Sequence, residues 1–477
     1  MKPWQRTRGR PQAPTATPSP PPPLGDLIES ITRDSLDDTQ YESGHAKISD
    51  AKVIASYNWT SASSPEIIVP GHPPKWTPPK ASRRLPWDTG EYYRDINAAS
   101  YPKHPLEPAI VSVMKMNHYP MPVNVVACGS TIGNLLRFVR DVDLDRPFRI
   151  LVELVGDTVH LIRRENSPKE LIPGVRGYGH TFPEAYTTWD YSVRRSTTHQ
   201  RVMAYRFGGL DMMVRSEGDG FIEESKPQPR QNRPRFTVAE ALAQVDGLTF
   251  AKLLPTLDCD LKLSEGGETV SQEAIFDLKT RSVVARFRDT LGDQLPRLWI
   301  SQVTQFILAY HEKGLFQKEN IEIKNVRDDI DKWQELNQPS LKRLAALLHL
   351  IIDRARTSGG KIEIVWSTDG PLEIRKQLPD AGGVLSTSVR KEWEAWLRNE
   401  VTLVKDPALE KGDSESDLEE PMTMEDFLNG LSGLDANREG ESSRLQGETR
   451  LMLKGADVRE PTSNLFYRLT TRRTLFS

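Results

Sequence analysis

Two strand-like stretches of the sequence carry charged residues at alternate positions. The first ends in Glu217 and Asp219, and the second, residues 274–280, contains Asp277 and Lys279. Residues two apart in a β-strand point to the same face, about 6.6 Å from each other. Each stretch therefore puts two charged side chains on one face, which favours a fold that brings strand ends to a polar site.

The two pairs favour complementary chemistry. Adjacent carboxylates such as Glu217 and Asp219 repel each other unless one holds a proton or a cation lies between them. Mg²⁺ suits carboxylates and waters as ligands. In the second pair, Asp277 would bind metal while Lys279 orients or helps to deprotonate a water, or neutralises charge growing on phosphorus. The residues thus predict a Mg²⁺ or Mn²⁺ site for phosphoryl chemistry.

This arrangement resembles the PD-(D/E)XK nuclease superfamily, in which a carboxylate on one strand precedes (D/E)-x-K on the next. A closer similarity is to the 5′-end decapping exonucleases, through Glu-x-Asp, acidic-x-Lys-Thr, and then Trp299 and Gln302 opening a helix. The resemblance implies metal-dependent hydrolysis of nucleic acid, with RNA favoured and its 5′ end an expected point of action. It implies that Glu217, Asp219 and Asp277 hold the metal, and that Asp277, Lys279 and Gln302 are catalytic.

The decapping family carries a further metal-binding Glu after an aromatic-rich strand. Here the comparable strand, residues 203–207, runs into Gly208 and Gly209. Two residues are candidates for the missing ligand. Asp211 would share a face with Glu217, and Glu184 could reach the site from a helix, although a Glu near a helix start is commonly just solvated.

Three arginines are candidates for binding phosphate, and two alternative interpretations of the charged residues remain open. Arg206, Arg215 and Arg281 flank the motifs and are candidates for phosphate contacts. The plain alternative for Asp277 and Lys279 is an ion pair on an exposed strand face. A second functional hypothesis is a nuclease-like scaffold or nucleic-acid-binding protein without catalysis, which the missing Glu favours.

A further resemblance concerns an uncharacterised fungal protein family sometimes labelled prenyl-diphosphate synthase. It rests on residues 56–59 and 205–209. Such synthases hold a Mg²⁺-diphosphate with two Asp-Asp-x-x-Asp clusters on facing helices. The nearest match, residues 328–331, has another spacing and no second copy, so prenyl transfer is the least favoured function.

Composition divides the chain. Its 35 prolines and 31 glycines crowd the first ninety residues and the C-terminal part, which leaves about 350 residues for a hydrophobic core. We expect a disordered basic, proline-rich tail (1–50), an extended Pro/Trp-rich arm (51–105), a nuclease-like domain (106–405) with an insertion at about 223–262, and an acidic, mostly disordered tail (406–477). Within that tail, residues 422–434 could form a short amphipathic helix for a protein partner.

The predicted fold class is α/β (α+β), with a mixed central sheet flanked by helices. Paired apolar runs around short turns predict hairpins, and apolar residues three or four apart predict helices. The predicted hairpins are 148–155/158–163, 202–207/210–216 and 361–366/372–376, and the predicted helices are 131–139, 184–189, 238–245, 298–311, 340–356 and 389–401.

Charge and cysteine content exclude several classes. The net charge of −3 gives no overall basic field, so a nucleic-acid groove has to be local. Two distant cysteines exclude a zinc ribbon or disulfide scaffold. No stretch approaches the roughly 18 apolar residues of a membrane span. We expect an intracellular protein of nucleus or cytoplasm, since the N-terminal prolines disfavour a mitochondrial presequence helix.

Overall fold

The computed structural model describes residues 19–37, 46–117, 119–223, 260–368 and 370–399. These residues form two mixed sheets, of eleven and seven strands, with helices packed on them. The predicted fold class is therefore confirmed. The predicted helix 238–245, most of the predicted insertion, and the partner segment 422–434 lie outside the described residues.

The strands are numbered in chain order across both sheets. They are β1 (Leu27–Ile31), β2 (Ser49–Thr60), β3 (Glu66–Pro70), β4 (Lys75–Trp76), β5 (Arg83–Arg84), β6 (Val125–Cys128), β7 (Phe148–Val155), β8 (Thr158–Arg164), β9 (Thr187–Thr188), β10 (Ser196–Phe207), β11 (Leu210–Glu217), β12 (Gly220–Phe221), β13 (Lys262–Gly266), β14 (Ile275–Ser282), β15 (Gln305–Glu312), β16 (Leu315–Asn325), β17 (Lys361–Trp366) and β18 (Leu372–Lys376). The larger sheet runs β1-β18-β17-β7-β8-β6-β11-β10-β2-β3-β13, and the smaller runs β5-β16-β15-β14-β12-β4-β9.

The helices pack on both faces of the larger sheet and on the smaller one. They are α1 (Ile96–Ser100), α2 (Glu107–Met116), α3 (Gly129–Arg140), α4 (Thr181–Tyr186), α5 (Thr290–Ser301), α6 (Arg327–Leu336), α7 (Gln338–Thr357) and α8 (Thr387–Leu397). No helix in the described part of the chain is long and apolar enough to cross a membrane.

Alternation along the central strands sorts the core into two layers. Val125 and Val214 pack with apolar residues of α3, α5, α6 and α7. Their neighbours Val126 and Met213 point the other way and pack with α2 and α8. Because successive strand residues face opposite sides, a continuous apolar run is what a strand buried on both faces requires.

Two segments predicted to lie outside the folded domain belong to the larger sheet. β1, within the predicted N-terminal tail, pairs antiparallel with β18. β2, at the start of the predicted arm, is a twelve-residue strand that pairs with both β10 and β3. The prolines predict extended chain, and an extended segment with an apolar centre, such as β2, is what a sheet recruits.

The predicted helix 298–311 is wrong. Helix α5 ends at Ser301, where Gln302 adopts a left-handed φ of 54°, and the chain continues as β15. β15 lies between β14, to which it is parallel, and β16. Apolar residues at 303, 306 and 310 fit helical spacing, but the unbroken run Phe306–Tyr310 is buried on both faces, and such a run also suits a central strand.

Candidate functional site

The chain crosses from the larger sheet to the smaller one at the first charged pair. β11 ends at Glu217, and β12 begins three residues later and pairs antiparallel with β14. Gly220 allows this crossing, because a Cβ there would lie 2.3 Å from the Phe276 ring. The short crossing brings Asp219 to β14, where its Oδ2 accepts a hydrogen bond of 2.7 Å from the Leu278 N–H.

Asp277 is the centre of a compact ion cluster. Its carboxylate is 4% exposed. Oδ1 lies 2.9 Å from the Lys279 Nζ, and Oδ2 lies 3.0 Å from a guanidinium nitrogen of Arg297 on α5. Burial opposes ionisation of Asp277, but Arg297 and Lys279 outweigh it, so its pKa is lowered. Asp277 therefore stays charged because two cations of the chain hold it.

The first pair has the opposite electrostatics. The Glu217 side chain is exposed to solvent, yet the protein around its carboxyl group disfavours the charged form. Burial of the carboxyl group is the largest cause and the charge of Asp219 the next, and together they raise the pKa of Glu217 to about 7. Burial and then Asp277 raise the pKa of Asp219. The three carboxylates together raise the pKa of Arg297, with Asp277 the largest cause. Glu217, Asp219, Asp277, Lys279 and Arg297 thus form one electrostatic group, which we call the carboxylate cluster.

The arrangement of this cluster does not fit a divalent ion. Metal-binding carboxylates have to be ionised and turned toward one point. Both oxygens of Asp277 instead contact cations of the chain, and Asp219 accepts a backbone N–H. Within the described segments, no group of three or more His, Cys, Asp or Glu side chains is placed to hold a metal ion. Arg297, which the sequence motifs did not single out, supplies the charge that a metal would supply.

Three predicted site residues lie apart from the carboxylate cluster. Asp211 is the second residue of β11, six residues or about 20 Å from Glu217 along the strand. It faces Arg206 at 3.6 Å. Glu184 is exposed on α4. The buried Gln302 donates from Nε2 to the Trp299 carbonyl at 2.5 Å and accepts from Arg327 at 3.3 Å, so its amide serves the end of α5.

The three arginines predicted to contact phosphate lie in different surroundings. Arg215 is 5% exposed and donates to the Pro105 carbonyl at 2.7 Å, beside a cavity. Arg206 is exposed and paired with Asp211 at the far end of β11. Arg281 donates to the Thr280 carbonyl. Of the three, Arg215 alone lines this cavity.

The cavity beside Arg215 has a volume of about 530 Å³ and also exposes Glu217 and Arg297. Seven arginines and four carboxylates line it, so its charge is positive overall. They are Arg94, Arg137, Arg140, Arg146, Arg163, Arg215 and Arg297, with Asp95, Asp143, Glu217 and Asp293. An adjoining cavity of about 800 Å³ shares four of these arginines. We call the first cavity the arginine-lined cavity.

The described residues therefore define a mixed α/β protein with a carboxylate cluster beside a cavity rich in arginine. The sequence model of the family described as "Domain of unknown function (DUF8563)" matches residues 27–370. The chain belongs to this family. Among curated proteins, no match is found.

Several solved structures are similar to the chain. Rai1 of S. pombe in complex with 3′-FADP is 9% identical, with a TM-score of 0.47, over 72% of this chain and 98% of that one. Rai1 of Candida albicans with pU5-Mn²⁺ is 11% identical, with a TM-score of 0.47, over 77% and 99%. Rai1 of Scheffersomyces stipitis with (3′-NADP)⁺ and calcium is 9% identical, with a TM-score of 0.49, over 79% and 99%.

These structures are of the decapping exonuclease family that the sequence motifs resemble. Their TM-scores lie below 0.5 and their identities do not exceed 11%.

Proposed function

We propose that this protein binds the phosphate backbone of single-stranded nucleic acid, with RNA favoured, in the arginine-lined cavity. The observation that carries the proposal is the excess of arginine over carboxylate around one concave surface. Arginine binds phosphate through paired N–H donors, and clustered arginine is the usual footprint of nucleic-acid binding when the net charge of the chain is near zero.

Arg146, Arg163 and Arg297 of the cavity are paired with carboxylates, whereas Arg137 and Arg140 keep much of their charge for a ligand. Arg137 donates to the backbone carbonyls of Asp143 and Arg146 and to the Asn134 side chain, all of them neutral acceptors. Arg140 lies over the Trp333 ring at 5.4 Å. Burial lowers the pKa of both guanidinium groups. Arginine nonetheless remains protonated in proteins, so burial concentrates the field rather than removing it.

The size of the cavity favours an unpaired strand. A volume of about 530 Å³ is within the range of small-ligand sites. A duplex, whose major groove alone is about 12 Å wide, does not enter such a space. Single strands are bound by positive grooves that follow the backbone. RNA is preferred over DNA because the strand motifs resemble those of enzymes that act on RNA ends.

Hydrolysis of a phosphodiester with Mg²⁺ or Mn²⁺ is the second candidate. It is favoured by the electrostatic coupling of Glu217, Asp219, Asp277 and Lys279, of which Glu217 lines the cavity. A bound divalent ion would polarise a phosphoryl oxygen. Because the cluster as arranged does not fit such an ion, no hydrolytic step follows from its geometry.

Fluorescence anisotropy with a labelled single-stranded oligoribonucleotide tests the proposal. Arg94→Ala with Arg146→Ala removes two cavity arginines that are exposed. We expect at least about tenfold weaker binding, since each charge-assisted contact contributes more than a neutral one. The matched control, Arg195→Ala with Arg206→Ala, removes two exposed arginines paired with carboxylates outside the cavity.

The control variant should bind RNA like the wild type. If both double variants lose affinity equally, general charge and not the cavity binds the strand. Incubation of wild type, Asp277→Ala and Lys279→Ala with Mn²⁺ and end-labelled RNA tests the second candidate. Cleavage that is retained in both Asp277→Ala and Lys279→Ala would exclude this cluster as its site.

A further inference from the structure

Helix α3 begins at the wall of the arginine-lined cavity. It has twelve residues, its N-cap Cys128 makes no side-chain capping hydrogen bond, and Gly129 and Ser130 line the cavity. The first backbone N–H groups of a helix have no partner within it and carry the positive end of its dipole. Such a terminus at the end of a parallel strand is suited to bind an anion. A helix terminus alone does not define a site.

A second observation points into the same space. Gln200 on β10 is 2% exposed and lines the cavity, and its Nε2 has no hydrogen-bond partner in the described part of the chain. The same holds for the hydroxyl of Ser216, which also lines the cavity. A buried donor left unpaired destabilises the folded state. Folded proteins rarely bear that cost without a reason such as a ligand.

The sheet register brings these groups to one place. Arg215 is the partner of Cys128 across the β6–β11 pair, and Glu217 is the partner of Gln200 across the β10–β11 pair. Gly129 is suited to this position, since a Cβ there would lie 2.9 Å from the Ser216 Oγ. The start of α3, the Gln200 amide and the buried Arg215 guanidinium therefore lie around one end of the cavity.

We infer that this end of the cavity is a phosphate-binding subsite formed by the N-terminus of α3, Gln200 Nε2, Ser216 Oγ and Arg215. The inference rests on the proposed function and names the part of the strand that is recognised. The non-bridging oxygens of one phosphate group accept from these donors, while the outer arginines contact the phosphates that follow. Glu217 is the neighbour that opposes the anion, and the arginines outnumber it.

The first test measures whether inorganic phosphate competes with a labelled single-stranded oligoribonucleotide. Wild type should bind phosphate, and Gln200→Met should weaken phosphate competition by about tenfold, the expected effect of one hydrogen bond to a charged group. Gln200→Met keeps the side-chain volume and removes a donor without a partner, so its melting temperature should not fall. Ser216→Ala, with a smaller change of side chain, is the second variant.

The matched control is Thr198→Val, which removes from β10 another buried hydroxyl that has no partner among the described residues, at a residue that does not line the cavity. It should leave phosphate competition unchanged. If Gln200→Met and Ser216→Ala both compete like the wild type, the subsite does not exist. An effect of equal size in Thr198→Val would also overturn it, because the change would then report on the strand in general.

RNA carrying a 5′-phosphate and the same RNA with a 5′-hydroxyl distinguish the source of the phosphate. If wild type prefers the RNA with the 5′-phosphate, the subsite binds a terminal phosphate. If the two RNAs bind equally and Gln200→Met weakens the binding of both, the subsite binds a backbone phosphate. Phosphate binding without RNA binding would uphold the subsite and exclude the proposed function. RNA binding that is insensitive to phosphate and to both variants would exclude the subsite and uphold the proposed function.

Discussion

The carboxylate cluster and the arginine-lined cavity share Glu217 and Arg297 but have opposite kinds of charge balance. In the cluster, Asp277 is satisfied by two cations of the chain within 3.0 Å. In the cavity, Arg137 meets neutral oxygens and Arg140 meets an aromatic ring. A site whose charges are already paired has little left for a ligand, whereas one with an excess of a single sign attracts its counter-ion.

The alternate charged residues that resemble a nuclease site are joined here by Arg297, which takes the position of a counter-charge. Under the proposed function, the ligand is bound by cavity arginines, of which Arg215 flanks a motif. Four predictions test this contrast, beginning with the largest expected effect.

The largest effect is expected on the free energy of unfolding of the protein when the carboxylate cluster is disrupted. Asp277→Ala leaves Arg297 and Lys279 without their carboxylate and should lower the free energy of unfolding by about 2–4 kcal/mol. The neighbouring cavity residue Asp293 is exposed, so Asp293→Ala should change it by less than about 0.5 kcal/mol. Urea denaturation of both variants measures this. Equal midpoints would show that Asp277 is not held by its two cations.

The next effect concerns metal binding. Titration calorimetry with Mn²⁺ should give no binding heat for wild type, since Arg297 already balances the carboxylates. Arg297→Gln removes that charge and should create a site that takes up one Mn²⁺, because Glu217, Asp219 and Asp277 then repel one another. Arg288→Gln, a change in an arginine outside the cavity, should behave as wild type. Tight Mn²⁺ binding by wild type would contradict the counter-charge role of Arg297.

A smaller effect is expected in the pH dependence of stability. The folded pKa of Glu217, about 7, lies above its ordinary value of 4.5. The folded state therefore holds this proton more tightly, and its contribution to stability is lost as pH rises from about 4.5 through 7. Wild type should lose thermal stability relative to Glu217→Gln over this range. A constant difference between their melting temperatures from pH 4.5 to 8 would exclude the shift.

Asp277 should act in the opposite direction and at lower pH. Its folded pKa lies below the ordinary value of 3.8. Its contribution is therefore present above that value and is lost as pH falls below it. Acid denaturation of Asp277→Asn should begin from a lower stability and show less pH dependence below pH 4 than wild type does. A parallel acid transition in the two proteins would argue against the ion cluster.

Much of the larger sheet could be predicted because its signals are local. The β10–β11 hairpin follows from apolar runs around Gly208 and Gly209, and its outgoing strand places Glu217 as expected. The prediction of a helix at 298–311 was wrong because the apolar spacing of this segment suits a helix and a buried strand alike. Pairing with β14 and β16 makes this segment a strand and not a helix, and local residue spacing does not predict such pairing.

Arg215 is the one cavity arginine that the sequence motifs predicted as a phosphate contact, and the others could not be predicted from sequence. Arg94 precedes α1, Arg137 and Arg140 lie on α3, Arg146 follows that helix, and Arg163 lies on β8. Only the fold brings these segments together. Arg297 was missed for a similar reason, since its distance from Asp277 depends on how α5 packs beside β14.

The most direct test of the central claim is the salt dependence of RNA binding in the presence of EDTA. The claim predicts that wild type binds a single-stranded oligoribonucleotide without divalent ions, with an affinity that falls linearly in log–log form as salt rises. It also predicts that the Arg94→Ala, Arg146→Ala double variant has a slope shallower by about 1.4, or about 0.7 for each phosphate contact. Binding that requires Mn²⁺, or an unchanged slope in the double variant, would contradict it.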